Sequence, residues 1–218
     1  MTSAAPPPPS SDPLNPPVLV AVSRRVLTEV LGPGTTGGHA RLGRLLDATV
    51  DAVILGADLL TATPSAPDAA AGAGLDPSIA AIVLSRHTHR TGLVITAAPQ
   101  RDHPYNLARR VSSLDHASHG RAGLALAAAD PAATPGSPWT AADPGAAAAD
   151  TAVALRELWR SFPADVIVAD RESGVFAESE RIVAVDHRGA FEITGPLQVP
   201  TSPQIWPPIL AWGPTAPA

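Results

Sequence analysis

HPYNLARRVSSLDHASHGR, residues His103 to Arg121, reads as a helix that passes through a turn into a strand. Pro104 stands near the helix start, where its missing N–H and fixed φ are tolerated. Leu107, Val111 and Leu114 recur at i, i+4 and i+7, which gives the helix one buried stripe. Ser118-His-Gly120 ends it, because a glycine past the last turn is the expected terminator. Ala122 to Ala128 follows as a strand.

The rest of the chain repeats this alternation. Val18 to Val22 (VLVAV) is an all-apolar run that predicts a buried parallel strand. After a glycine-rich turn, Gly32 to Gly38, the spacing of Leu42, Leu45 and Leu46 predicts a helix over His39 to Thr49. Asp51 to Leu55 is the next strand, and Thr61 to Gly74 is a Pro/Ala/Gly loop. Asp76 and Pro77 read as N-cap and first residue of a helix reaching about Arg86. Thr91 to Ala97 is the strand that precedes the quoted stretch.

Beyond it lie a low-complexity loop, Pro131 to Pro144, and a helix, Ala146 to Phe162, with Val153, Leu155, Leu158 and Trp159 as apolar positions. Asp165 to Pro203 is a long excursion. It holds strand-like pieces at Arg181 to Asp186 and Ala190 to Thr194, joined through His187-Arg188-Gly189 as a hairpin. Pro208 to Trp212 is the last strand, and no internal repeat is visible.

Composition bounds what such a chain can do. Its 218 residues, 45% of them apolar, with mean hydropathy +0.12, suit a globular domain with a sizeable core. A net charge of −5 argues against a nucleic-acid surface, which needs a basic face. All fifteen basic side chains are arginine, a bias we read together with the abundant Ala, Pro and Gly as GC-rich coding. The absence of cysteine excludes disulfides, thiolate nucleophiles and Cys-based zinc sites. No apolar run approaches the roughly 18 residues of a membrane span. The Pro- and Ser-rich start lacks the parts of a signal peptide, so a cytoplasmic protein is expected. The expected organisation is a disordered Pro-rich tail over 1–17, one domain over 18–213 and a short tail over 214–218.

Strand and helix alternate four times and a fifth strand follows, which means a parallel sheet with right-handed crossovers. That pattern alone allows an open doubly wound sheet or a TIM barrel. The quoted stretch resembles the PYxLARRxxxLDHxSxGRxGW segment of bacterial luciferase-like, flavin-dependent monooxygenases, in the branch of the nitrilotriacetate, EDTA and dibenzothiophene-sulfone enzymes. Asp170-Arg-Glu-Ser-Gly-Val-Phe176 is similar to that family's DxxSGxF. Asp186-His-Arg-Gly189, Gly195-Pro-Leu197 and Ser202-Pro-Gln204 are similar to its DHRGxxFxxxGPLxxPxSPQ.

The resemblance covers about Val18 to Trp212 and implies an α/β fold of TIM-barrel type. About five parallel strands with helices, plus an excursion bearing a β-hairpin, correspond to its N-terminal part. A complete barrel takes roughly 250 residues.

The resemblance also implies a reaction. Reduced FMN from a separate flavin reductase would serve to oxygenate a small organic molecule. In a TIM barrel such chemistry sits at the C-terminal ends of the strands. The surviving cofactor contacts implied there are Asp58, Thr96 and Thr215. Other family positions are changed. Leu124 to Ala129 replaces a polar WNVVTS, Thr96-Ala-Ala-Pro-Gln100 replaces a Ser/Thr cluster, and Ala141 and Gly145 stand where the family has His and Tyr. An impaired flavin site is therefore expected. The alternative is a non-catalytic half-barrel, a structural partner that forms a homo-oligomer or docks on a full-length paralogue through its open strand edges.

Other chemistry has weaker footing. His87-Thr-His89 at a helix end suits carbonyl capping better than metal binding, and no metal site is expected. Asp115-His116 and His119 read as scaffold and turn residues, and Ser173 and Ser202 have no identifiable base. Arg109-Arg110 suits helix-surface ion pairing, and GPGTTGG matches no phosphate-binding motif. Trp206 and Trp212 flank the last strand as core or interface residues.

Overall fold

A computed structural model describes residues 16–32, 34–35, 38–61, 74–128, 130 and 143–212. The strands are β1 (Leu19–Val22), β2 (Ala52–Leu55), β3 (Gly92–Ala97), β4 (Ala122–Ala127), β5 (Val185–Arg188), β6 (Glu192–Gly195) and β7 (Ile209–Trp212). The helices are α1 (Arg24–Leu31), α2 (His39–Thr49), α3 (Asp58–Thr61), α4 (Pro77–Ser85), α5 (Pro104–Ser118) and α6 (Pro144–Arg160). One five-stranded sheet has the order β1-β2-β3-β4-β7, parallel throughout, and β5 and β6 pair as an antiparallel hairpin.

The sheet is barrel-like for a reason visible in its two faces. Val53, Leu55, Leu93, Ile95, Leu124 and Leu126 point to one side and share a single core with α1, α2, α4, α5 and α6. Ile54, Val94 and Ala125 point to the other, where, among the described residues, only Ala52 and Leu60 join them. A doubly wound sheet carries helices on both faces. Among the described residues α1, α2, α4, α5 and α6 all lie on the same face, as in a barrel wall.

The quoted stretch folds as its punctuation predicts. The His103 ring Nδ1 accepts from Tyr105 N at 3.2 Å, Pro104 opens α5, and His119 in the left-handed region (φ 57°) ends it before Gly120 (φ 81°). Leu107, Val111 and Leu114 are fully buried. Asp76 caps α4 by accepting from Ser78 N and Ile79 N, again as the sequence predicts.

Several elements differ from expectation. Helices α1 and α3 lie in segments with no predicted element; α1 starts directly on β1 because Ser23 Oγ caps Val26 N. Helix α6 begins two residues early, since Asp143 Oδ1 accepts from Ala146 N and Pro144 fits the first turn, and Val153 is half exposed, outside the buried stripe. The hairpin is shifted too. His187 and Arg188 belong to β5, paired with Ile193 and Glu192, and the turn lies after them. Arg181 instead ends a short 3-10 turn and pairs with Asp165 and Glu178. Most of the expected loops, the 1–15 part of the tail and Thr215 lie outside the described residues.

Candidate functional site

The C-terminal ends of β1 to β4 bring together side chains from four loops. At the first two strands Asp58 bridges to Arg24. Its Oδ1 accepts from Arg24 N at 2.7 Å and its Oδ2 from Arg24 Nε at 2.6 Å. The carboxylate thus caps the start of α1 and holds a guanidinium that is itself only 13% exposed. Thr96, at the end of β3, directs its hydroxyl at the carbonyls of Leu55 (3.0 Å) and Gly56 (2.9 Å). Gly56 needs its left-handed φ of 84°, and a Cβ there would stand 2.5 Å from both Pro77 Cγ and Thr96 Oγ1.

The next two loops carry an ion pair. Arg101, after β3, binds both carboxylate oxygens of Asp130, after β4, and Asp130 is almost wholly buried. Beside it, Gln100 is 8% exposed, and its Nε2 donates to Ala128 O at 3.3 Å. Its Oε1 is buried without a hydrogen-bond partner among the described residues. A carboxylate, a guanidinium and an oriented amide at this end form a polar rim above the apolar strand residues Leu124 to Ala127.

Thus two of the three expected contacts, Asp58 and Thr96, lie at this rim, each engaged by intramolecular bonds. Thr215 lies outside the described residues. Gly145 is in the first turn of α6, and Ala141 is not described. Sequence reasoning missed Arg24, Gln100, Arg101 and Asp130. The last stands one residue beyond the apolar run Leu124 to Ala129. Pairing across 34 and 29 residues leaves no local spacing by which to find these partners.

The motifs that stand out in sequence gather at the opposite end and on the outer wall. Asp115, fully buried, accepts from Ala122 N and from both the backbone N and Nε2 of Gln204. His116 contacts Pro200 O at 3.0 Å. Arg121 donates to Ser85 O, Thr88 O, Thr88 Oγ1, Thr91 O and Ser118 O, tying α4, β3 and α5 at their shared end. Burial pushes the Arg121 guanidinium below its usual range, against the pull of Asp47. Burial alone would raise Asp47, but the backbone N–H groups of Thr91, Arg90 and His89 and the Thr91 hydroxyl bring it down to about 2.

His187 anchors the hairpin, its ring nitrogens 2.9 Å from Glu157 Oε2 and 3.1 Å from Asp150 Oδ1. Burial opposes its charge, yet the two carboxylates raise its pKa above the ordinary value. A Cβ on Gly189 would sit 2.0 Å from Asp150 Oδ1, which accounts for the glycine in Asp186-His-Arg-Gly189. Ser173 hydrogen-bonds Asp170 within its own turn, and Arg110 pairs with Asp102. Trp206 is half exposed with Arg160 over its ring. Among the described residues no group of three or more His, Asp or Glu could hold a metal ion, and no helix is long and apolar enough to cross a membrane.

No family model matches the chain. It is 31% identical over 181 residues to a component of the pristinamycin IIA synthase of Streptomyces pristinaespiralis, covering 83% of this chain and 61% of that one. It is 33% identical over 145 residues to dibenzothiophene-sulfone monooxygenase of Rhodococcus erythropolis, covering 64% of this chain and 32% of that one. Among solved structures it is similar to a riboflavin lyase crystallised with modified FMN and riboflavin. That match has TM-score 0.67 at 26% identity and covers 89% of this chain and 48% of that one. The chain spans between about a third and three fifths of the length of these relatives.

Proposed function

The chain belongs to the bacterial luciferase-like, flavin-dependent monooxygenase family, and from that premise we propose that it contributes the N-terminal part of an FMN site used to oxygenate a small organic molecule. The observation that carries this reading is the polar rim at the C-terminal ends of β1 to β4, where barrel enzymes place their chemistry. Bound in its reduced form, FMN supplies the electrons that let O2 place one atom in a substrate and leave the other as water. A separate NAD(P)H:flavin reductase in the cytoplasm would furnish the reduced cofactor.

The residues of this chain would act by holding and orienting. A buried acceptor at Gln100, without a partner among the described residues, suits a ring that bears an N–H donor. Thr96, Asp58 and Thr215 are the proposed contacts. Thr96 Oγ1 keeps acceptor capacity while it donates to a carbonyl. Asp58 reaches a ligand only by sharing its bonds with Arg24. These intramolecular bonds, and the paired state of both rim arginines, imply weak affinity for the FMN phosphate.

Titration of the purified chain with FMN, read by quenching of flavin fluorescence, tests this. Saturable binding at one FMN per chain supports it, and linear quenching up to millimolar FMN overturns it. A second reading has its own support. β1 and β7 form the outer strands of the described sheet and expose Leu19, Val20 and Leu210. Strand edges of this kind pair with other chains. A colourless oligomer in sedimentation velocity supports a structural role, as a homo-oligomer or on a full-length paralogue.

A further inference from the structure

Gln100 has a feature that stability alone does not explain. A primary amide presents two donors and an acceptor with two lone pairs, and burial penalises whichever is left unmatched. At 8% exposure, Gln100 satisfies its nitrogen on Ala128 O and leaves Oε1 buried with no partner among the described residues. The amide cannot relieve this by flipping. Ala128 O only accepts, so turning Oε1 toward it would set two acceptors face to face. Pro99 and the Arg101 N to Ala98 O turn fix the backbone on either side.

The other buried side-chain oxygens without partners among the described residues are hydroxyls: Ser78, Ser112, Thr151 and Ser202. They belong to α4, α5, α6 and the strap before β7. A hydroxyl rotates to suit a nearby carbonyl or water, whereas the Gln100 acceptor is held in one direction. It also lies at the C-terminal end of the sheet, between the loops after β3 and β4.

We propose that Gln100 is a positioning residue whose Oε1 accepts a hydrogen bond from the imide N–H of a bound flavin ring, so that Gln100 reads the pyrimidine edge of the cofactor. This rests on the flavin-site reading above. The arrangement predicts a discrimination: a ring methylated at that nitrogen has no donor and brings a methyl group against a fixed oxygen. A site that hydrogen-bonds a ligand N–H rejects the analogue lacking it, because its buried acceptor is then left unpaired.

The test compares FMN with 3-methyl-FMN on the full chain and on the Gln100→Met variant, using fluorescence quenching for affinity and thermal melting of the ligand-free protein. The unmodified chain is expected to bind FMN about tenfold or more tightly than 3-methyl-FMN, in line with loss of one hydrogen bond. Gln100→Met should lose most of that preference, and its ligand-free form should melt a few degrees higher, since it removes an unmatched buried acceptor. Equal affinity of the unmodified chain for both flavins, or an FMN preference undiminished in Gln100→Met, overturns the assignment of Gln100 while leaving flavin binding in place. Absence of any flavin binding by the unmodified chain overturns both readings together.

Discussion

Asp115 and Gln204, 89 residues apart, are joined by two hydrogen bonds. Gln204 N donates to Oδ2 at 3.0 Å and Gln204 Nε2 donates to Oδ1 at 2.6 Å. Nε2 also reaches Ala122 O at 2.7 Å, and Ala122 N donates to Asp115 Oδ1. The Leu114-Asp-His116 and Ser202-Pro-Gln204 motifs are thus two halves of one clasp. It closes the end of α5, the first residue of β4 and the strap leading to β7.

The clasp predicts a steep response to a small change. Asp115→Asn keeps the shape but turns an NH2 group toward backbone or side-chain N–H donors. Donors left unmatched in a fully buried site, with a charged acceptor removed, should cost about 3 kcal/mol in urea unfolding. Gln204→Ala should cost less, because water reaches that half-buried position. A midpoint for Asp115→Asn within about 1 kcal/mol of the unmodified chain would show that the clasp is slack.

Asp47 sets an acid limit on the same end of the sheet. Its folded pKa of about 2 lies below the ordinary 3.8, so the folded state binds its proton less readily than the unfolded chain does. The resulting stability is present above about pH 4 and disappears as pH falls from there to about 2. Allowing for the partial exposure of the group, it amounts to about 1–2 kcal/mol. Urea midpoints measured at about pH 5 and about pH 3 should differ by more in the unmodified chain than in Asp47→Ala. Equal shifts would assign the acid sensitivity to other carboxylates.

How much of this is legible in sequence depends on the range of the interaction that fixes each part. α5 and α4 carry their own stops and caps in Pro104, Gly120, Asp76 and Pro77, so their limits can be read locally. α1 cannot, because only Leu27 and Leu31 are buried on it and its cap, Ser23, directly follows a strand. The hairpin register follows from His187 docking on α6, a contact across 30 and 37 residues. At the rim, Thr96 and Asp58 are found by likeness to a motif. Arg24, Gln100, Arg101 and Asp130 acquire their roles only from partners on neighbouring strands.

His187 should make hairpin docking depend on pH with the opposite sign to Asp47. Both ring nitrogens face carboxylates, an arrangement that asks each to donate and therefore favours the imidazolium. With the folded pKa raised above 6.5, the stabilisation is complete below pH 6.5 and is lost as pH rises through the folded value. Amide exchange in β5 and β6, corrected for intrinsic rates, should quicken as pH rises above 6.5 through the folded value, and His187→Ala should abolish the change. A flat corrected profile in the unmodified chain would rule out the charged clamp.

Ile205 points to stored strain in the strap that delivers Gln204 to Asp115. Its φ of 61° is a left-handed conformation that a β-branched side chain disfavours, and the side chain is 53% exposed, so little packing offsets it. The backbone bonds Ile205 N to Ser202 O and Trp206 N to Gln204 O hold the turn in place and do not need the isoleucine. Asparagine accepts this conformation with far less penalty than an L-residue branched at Cβ, whose cost is roughly 1–2 kcal/mol. Ile205→Asn should therefore gain about 1 kcal/mol, a rise of roughly 2–4 °C in Tm for a chain of this size. Ile205→Gly should gain less, since glycine loses more entropy on folding. A fall in Tm for Ile205→Asn would mean that the isoleucine side chain contributes packing greater than the strain it carries.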